Sequence, residues 1–251
     1  MTDYFKLKKR AGTGAKRKRS PAMTATIILM FLLIVLMITL AFFTSVDEVT
    51  NVFNAGNVDI VLTESEWKPA DAQNIVPGTV LDKNPKITNN DEMDVYVFLK
   101  VTVPYDELKI ENSTDQKGKA VFTGEVPLYK FVVTDEYGTD SFQDSFDNVQ
   151  KVGKGWLLLS GYPTIDNVQK TYTYVYAHTQ DNGRLLPLMK QHTTQYALFD
   201  KIRLMNFNEQ QFDPQRDYSV RVEAYGIQTN FLKENNTTTT DPEEVWGIIN
   251  R

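Results

Sequence analysis

Two histidines, His178 and His192, and no cysteine occur among the 251 residues, so metal and nucleophilic chemistry have few places to sit. A catalytic zinc needs three protein ligands around one open position. If the strands carrying the two histidines paired across a hairpin, Asp181 or Asp200 would stand as third ligand. The histidines do not form H-E-x-x-H, where both imidazoles share one helix face beside a glutamate base. The plainer reading puts His178 at a strand end and His192 in a polar loop, both titrating near solvent. There is no G-x-S-x-G elbow, phosphate-cradling loop or dinucleotide fingerprint. Lack of thiols excludes thiol catalysis, thiolate metal sites and disulfide-stapled scaffolds. The expectation is a non-enzyme, with no catalytic residue, metal or cofactor assigned.

Oxygen ligands are more plentiful. Asp91/Glu92, Asp135/Glu136 and the stretch from Asp140 to Asp147 offer carboxylates to calcium. The Asp-x-Asp-x-Asp spacing of a dedicated loop is missing, so they read as solvated loop charges. Tyr172, Tyr174 and Tyr176 share one face of a strand. Such a stripe serves either a carbohydrate or protein contact or an inner sandwich face, and we read it as core.

Another chemistry is done to the chain rather than by it. From Ser20 to Val46 no side chain is charged, and Ile27 to Leu36 is almost wholly aliphatic. At about 1.5 Å per helical residue the run spans a hydrocarbon core of roughly 30 Å. Lys6, Lys8, Lys9, Arg10, Lys16, Arg17, Lys18 and Arg19 precede it, which holds that end in the cytoplasm and translocates Asp47 onward. Thr39-Leu40-Ala41 places small residues where a signal peptidase reads them, with the cut before Phe42. The length of the run argues instead for a retained anchor, and on these residues both readings stand.

The whole chain carries 27 basic and 32 acidic residues, and eight of the basic ones against a single acidic one precede Phe42. The exported part is therefore strongly acidic, which keeps it soluble and repels nucleic acid and anionic surfaces. Without disulfides it must be held together by its core.

The residues after Phe42 alternate with the period of strands. Val58, Ile60 and Leu62 do so, as do Val95, Val97, Leu99, Val101 and Val103, the tyrosine stripe, and Val220, Val222 and Ala224. Phe131–Thr134, Trp156–Leu159 and Ile202–Phe207 are shorter candidates. Pro77-Gly78, Tyr137-Gly138, Gly161-Tyr162-Pro163 and Asp181-Asn182-Gly183 supply turns. Ala70 to Lys86 reads as a long connection. Asp241 is an expected N-cap, with Pro242 at the first helical position and Glu243 and Glu244 at the positive end of the dipole. The expected fold is all-β: a jelly-roll-like antiparallel β-sandwich, preceded by one N-terminal hydrophobic signal or transmembrane helix and followed by a short C-terminal helix. Its parts are a basic lead at 1–20, the hydrophobic helix at 21–41, the exported sandwich at 42–232, and a spacer with the short helix at 233–251.

Four blocks, TLAFFTSVDEVTNVFNAGNVDIVLTE, KNPKITNNDEMDVYVFLKVTV, YALFDKIRLMNF and YSVRVEAYGIQTNFL, in that order, resemble the TasA/camelysin family of bacterial exported proteins. The Ala41-Phe42 junction followed by Thr44, Asn51, Phe53, Gly56, Asn57, Val58 and Ile60 is similar to that family's post-cleavage pattern. The resemblance implies a jelly roll that is exported and kept at the cell surface or in the extracellular matrix. It also implies processing by a SipW-like signal peptidase. Some members assemble into biofilm fibres by donating the N-terminal segment as a strand, here Phe42–Phe53 with Phe42, Phe43, Val46, Val49 and Phe53. The alternatives are that this arm forms the domain's own first strand, that an uncleaved helix anchors a partner-binding ectodomain in the membrane, and that the chain is a camelysin-like metallopeptidase.

Overall fold

The computed structural model describes residues 30, 49–55, 58–67, 76–111, 120–143, 145–207, 216, 218–234 and 239–250. The chain divides into two units, Met1–Ala41 and Phe42–Arg251, and every strand lies in the second. Apart from residue 30, the expected hydrophobic helix at 21–41 falls outside the described residues. Among the described residues no helix is long and apolar enough to cross a membrane.

The described chain is mostly β. In order it forms β1 (Val49–Ala55), β2 (Ile60–Thr63), β3 (Val80–Asp82), β4 (Lys86–Asn89), β5 (Val95–Glu111), β6 (Ala120–Pro127), β7 (Tyr129–Thr134), β8 (Asp140–Phe142), β9 (Trp156–Leu158), β10 (Thr164–Asp166), β11 (Thr171–His178), β12 (Lys201–Leu204) and β13 (Arg221–Gln228). Two helices, α1 (Thr229–Glu234) and α2 (Pro242–Ile249), follow.

A seven-stranded sheet runs β1-β13-β5-β11, with β9 and β10 in tandem along the far side of β11 and β6 on the distal half of β5. A four-stranded sheet runs β3-β12-β7-β8, and β2 pairs with β4. Every one of these pairs is antiparallel except β1 with β13. The expectation of an antiparallel sandwich is corrected at that edge: β1 and β13 run the same way because a long stretch of chain between them supplies the crossover a parallel pair requires.

The hydrophobic alternation explains the packing. On the inner face of the large sheet Val97, Leu99, Val101 and Val103 of β5 join Tyr172, Tyr174 and Tyr176 of β11 and Val222 and Ala224 of β13. They meet Phe131, Ile202, Leu204 and Leu81 of the four-stranded sheet and Ile60, Leu62 and Ile87 of the small pair. Phe131 is ringed by Tyr174, Tyr176 and Phe199, its ring stacked on Phe199 at 4.3 Å between centroids. A side chain at Gly226 in β13 would place its Cβ 3.0 Å from Ile60 Cδ1, so glycine there lets β2 close on the sheet. The expected turn glycines Gly78, Gly138, Gly161 and Gly183 all have positive φ, which costs glycine little.

The outer face of the same sheet is covered at one end. Tyr96, Phe98, Val175, Ala177 and Ile227 lie under Leu159, Leu185 and the α2 residues Val245, Trp246 and Ile249. Asp241 caps α2 as expected, accepting from the backbone N–H of Glu243 and Glu244. The helix is thus part of a second core. This is why Tyr96, Phe98, Val175 and Ala177, polar-face positions by alternation, are buried.

Two readings change. The stretch from Ala70 to Lys86 contains β3, an edge strand paired with β12, and the first residue of β4. Pro77, Gly78 and Pro85 flank only three strand residues, too few for alternation to register. Distal β5 and β6, within the Asp106–Asp166 region where no strand but Phe131–Thr134 and Trp156–Leu159 was expected, form a hairpin with Tyr105 opposite Pro127 and Ile110 opposite Phe122.

Candidate functional site

The expected chemistry of the histidines can be tested directly, since His178, His192, Asp181 and Asp200 are all described. The fold does not gather them: among the described residues no three of His, Cys, Asp and Glu stand together as metal ligands. His178, expected near solvent, is 7% exposed. Trp156 tilts against its ring at 5.4 Å, and its Nδ1 faces the Leu186 carbonyl at 3.2 Å. Burial lowers its pKa, partly offset by that hydrogen bond. His192 is exposed, its Nδ1 2.8 Å from the Lys190 carbonyl. Asp200 accepts from the Thr134 N–H at 2.8 Å, which occupies it in holding β7.

The acidic groups have structural partners as well. Asp135 accepts from the N–H groups of Tyr137 and Thr139 and so closes the β7–β8 turn. Asp140 takes two bonds from Lys201 Nζ, at 2.8 and 2.9 Å, and one from Thr134 Oγ1. The Lys201 and Thr134 hydrogen bonds hold its carboxyl below the usual range. For Asp91, burial acts upward, but hydrogen bonds from Gln228 and from the backbone outweigh it and leave its pKa lowered. Glu92 lies at the surface, 3.9 Å from Lys190. Glu136 is exposed.

The tyrosine stripe is core. Tyr174 and Tyr176 stack at 6.1 Å between centroids and 8° between planes, and burial raises both phenols. The Tyr174 hydroxyl donates to the Asn148 carbonyl at 2.7 Å.

Two lysines with 1% exposed side chains are features that the sequence reading missed. Lys130 donates to the carbonyls of Asp147 and Val149 and lies 3.6 Å from the Asp147 carboxylate. Lys83 donates to Glu64 at 2.7 Å, with its ammonium 4.7 Å from the Trp67 ring centroid. Each is a charge buried with hydrogen-bond partners, as burial requires. Lys130 stands next to Phe131 in β7, so alternation points it away from the inner face, and no local pattern in the sequence marked its burial.

What remains is the sheet edge. Thr39, Ala41, Phe42, Phe43 and Val46 lie outside the described residues. Val49 and Phe53 fall in β1, at the margin of the large sheet, opposite Val222 and Tyr225. The register slips between Asn51 and Phe53, so Val52 is an extra residue in the ladder. Among the described strands β1 has β13 as its sole ladder neighbour. A seven-residue strand with one unpaired edge can accept or be exchanged for another strand.

The sequence pattern of the camelysin metallo-endopeptidase family matches residues 16–125, from the basic lead into β6. Over that stretch, less than half of its length, the chain is similar to this family, in agreement with the resemblance carried by its sequence blocks. No curated protein and no solved structure matches it. The camelysin match includes the whole expected arm and β1, while β7 to β13 and both helices lie beyond it.

Proposed function

We propose that this protein is an exported structural component of a bacterial cell surface or biofilm matrix, a jelly-roll-like sandwich that self-associates by strand addition. The observation that carries the reading is β1, which begins within the expected arm: it is an uncharged strand on the margin of the largest sheet, joined to it by the one parallel pairing among the named strands. The other edge of β1 has no ladder neighbour among the described strands, which leaves it open to a second subunit. A SipW-like peptidase cutting before Phe42 frees the arm Phe42–Phe53. N-terminal sequencing and intact mass of protein from its native envelope and medium test the reading. A start at Phe42, with fibres in electron micrographs, is expected. A chain that retains its first residues on every molecule would refute arm donation and leave a membrane-anchored ectodomain that binds a partner.

The family's description as a metallo-endopeptidase supports a second reading. It predicts proteolysis that disappears with a chelator and in both His178→Ala and His192→Ala. Activity that survives either substitution excludes these histidines as ligands.

A further inference from the structure

The large sheet has a second open margin, formed by β9 and β10 end to end along β11. Natural edges are usually guarded by charge. The margins of the four-stranded sheet follow that practice: β3 ends in Asp82, and β8 begins with Asp140, ion-paired to Lys201. β6 carries Glu125 and ends in Pro127. The β9–β10 margin has no such guard. Trp156-Leu157-Leu158 is uncharged, and the carboxylate of Asp166 is turned back on the N–H groups of Val168 and Gln169. Leu157 and Leu158 are exposed, Ile165 is 54% exposed and Val168 89%.

We infer that the β9–β10 margin is the acceptor surface for a second copy of this chain, whose β1 keeps its pairing to β13 and adds its outer edge here, continuing the large sheet from one subunit into the next. The two margins match. β1 is uncharged over all seven residues and follows Asp47 and Glu48 directly. The acceptor margin follows Lys151 and Lys154, both exposed and without a carboxylate partner among the described residues. In an otherwise acidic domain this pairs an acidic approach with a basic one, and attraction between them sets register as well as encounter. Joining opposite edges of one sheet is a heterologous contact, which generates an open filament when successive rotations do not close a ring. The three-residue length of each acceptor strand keeps any single contact weak, so the joint forms where the chain is concentrated at a surface or in a matrix.

This inference rests on the strand-addition reading and names its acceptor. The test uses the full chain, exported by a bacterial host and recovered from envelope and medium, with assembly read by sedimentation and electron microscopy. Ile165→Glu with Val168→Glu, both at exposed positions, is expected to keep the wild-type thermal midpoint and to lose at least tenfold of the sedimenting fraction. In the wild-type background, Asp47→Lys with Glu48→Lys is expected to weaken assembly, and adding Lys151→Glu and Lys154→Glu to restore it. Chains with Ile165→Glu and Val168→Glu that assemble like the wild type overturn the inference. If Val46→Pro with Val49→Pro still abolishes assembly in that case, strand addition stands with a different acceptor. A wild-type chain that stays monomeric at every concentration overturns both.

Discussion

On its inner face the large sheet meets other strands, and on its outer face it meets a helix from the far end of the chain. The inner contact is built from residues that alternate within each strand, with Tyr172, Tyr174 and Tyr176 on one side and Phe131, Ile202 and Leu204 on the other. The outer contact depends on α2, and Trp246 is its centre. The Trp246 ring lies 5.4 Å from Phe98 and 5.1 Å from Tyr225, the latter edge-on, and its Nε1 donates to the Tyr162 hydroxyl at 3.0 Å. Each face buries large aromatics. They differ in what fails when one is removed: the inner core joins three sheets, and the outer core joins one sheet to one helix.

The largest test of that difference is Phe131→Ala. The side chain is fully buried among Tyr174, Tyr176 and Phe199, so the cavity costs about 3–5 kcal/mol. A urea melt followed by tryptophan fluorescence and by far-UV dichroism should show one earlier transition by both probes. Two separated transitions would mean that the sheets fail independently, and the inner face would not be a single cooperative core.

Trp246→Ala removes a comparable ring from the outer face, at about 3 kcal/mol. Here the loss is expected to be local. Amide exchange should quicken along α2 and at Ile227 while β7 and β12 keep their protection. Equal loss of protection in β7 would dissolve the distinction between the two faces.

The distinction also separates what was legible in the sequence from what was not. Val97, Leu99, Val101 and Val103 are aliphatic at every second position because one side of β5 faces a packed sheet throughout, and period two reports that. Tyr96 and Phe98 in the same strand were read as the outward set. They are buried by residues about 150 positions later, and no local window contains that information. The N-cap of α2 could be read from Asp241-Pro242-Glu243-Glu244, since capping is chemistry within one turn, but where the helix docks could not. Lys83 was hidden for a related reason. It follows a three-residue strand in a stretch rich in turn residues, and its partner Glu64 lies on another segment. At the candidate site, the arm was marked by Phe42, Phe43, Val46, Val49 and Phe53 and by its place after the small-residue junction. The β9–β10 margin was not, because being a margin is a property of topology.

Asp241→Ala tests the outer face more gently. It removes the acceptor for the Glu243 and Glu244 N–H groups, and the expected cost is about 1 kcal/mol. Exchange should rise first at those two amides. If Asp241→Ala destabilises the chain as much as Trp246→Ala, docking of α2 depends on its first turn rather than on the buried ring.

The smallest expected effect is confined to a pH window, and it concerns His178, at the end of β11 between these regions. In the unfolded chain its imidazole titrates at about pH 6.5. In the fold its pKa is lowered, chiefly by burial against Trp156, while the Leu186 carbonyl partly offsets this. Above about pH 6.5 the ring is neutral in both states, and the stability it contributes is complete. As pH falls below that value the unfolded chain binds a proton that the folded chain refuses, so stability declines until the folded pKa is reached and then levels off. The carboxylates with lowered pKa, Asp91, Asp140 and Asp147, act in a separate window below roughly pH 4, near the unfolded carboxylate value. His178→Gln should therefore flatten the stability profile just below about pH 6.5 and leave the acid limb as it is. A variant that keeps the wild-type slope in the upper window would show that the ring is protonated in the folded state as readily as in water. The packing of Trp156 over it would then have to open with acid, carrying the start of β9 with it.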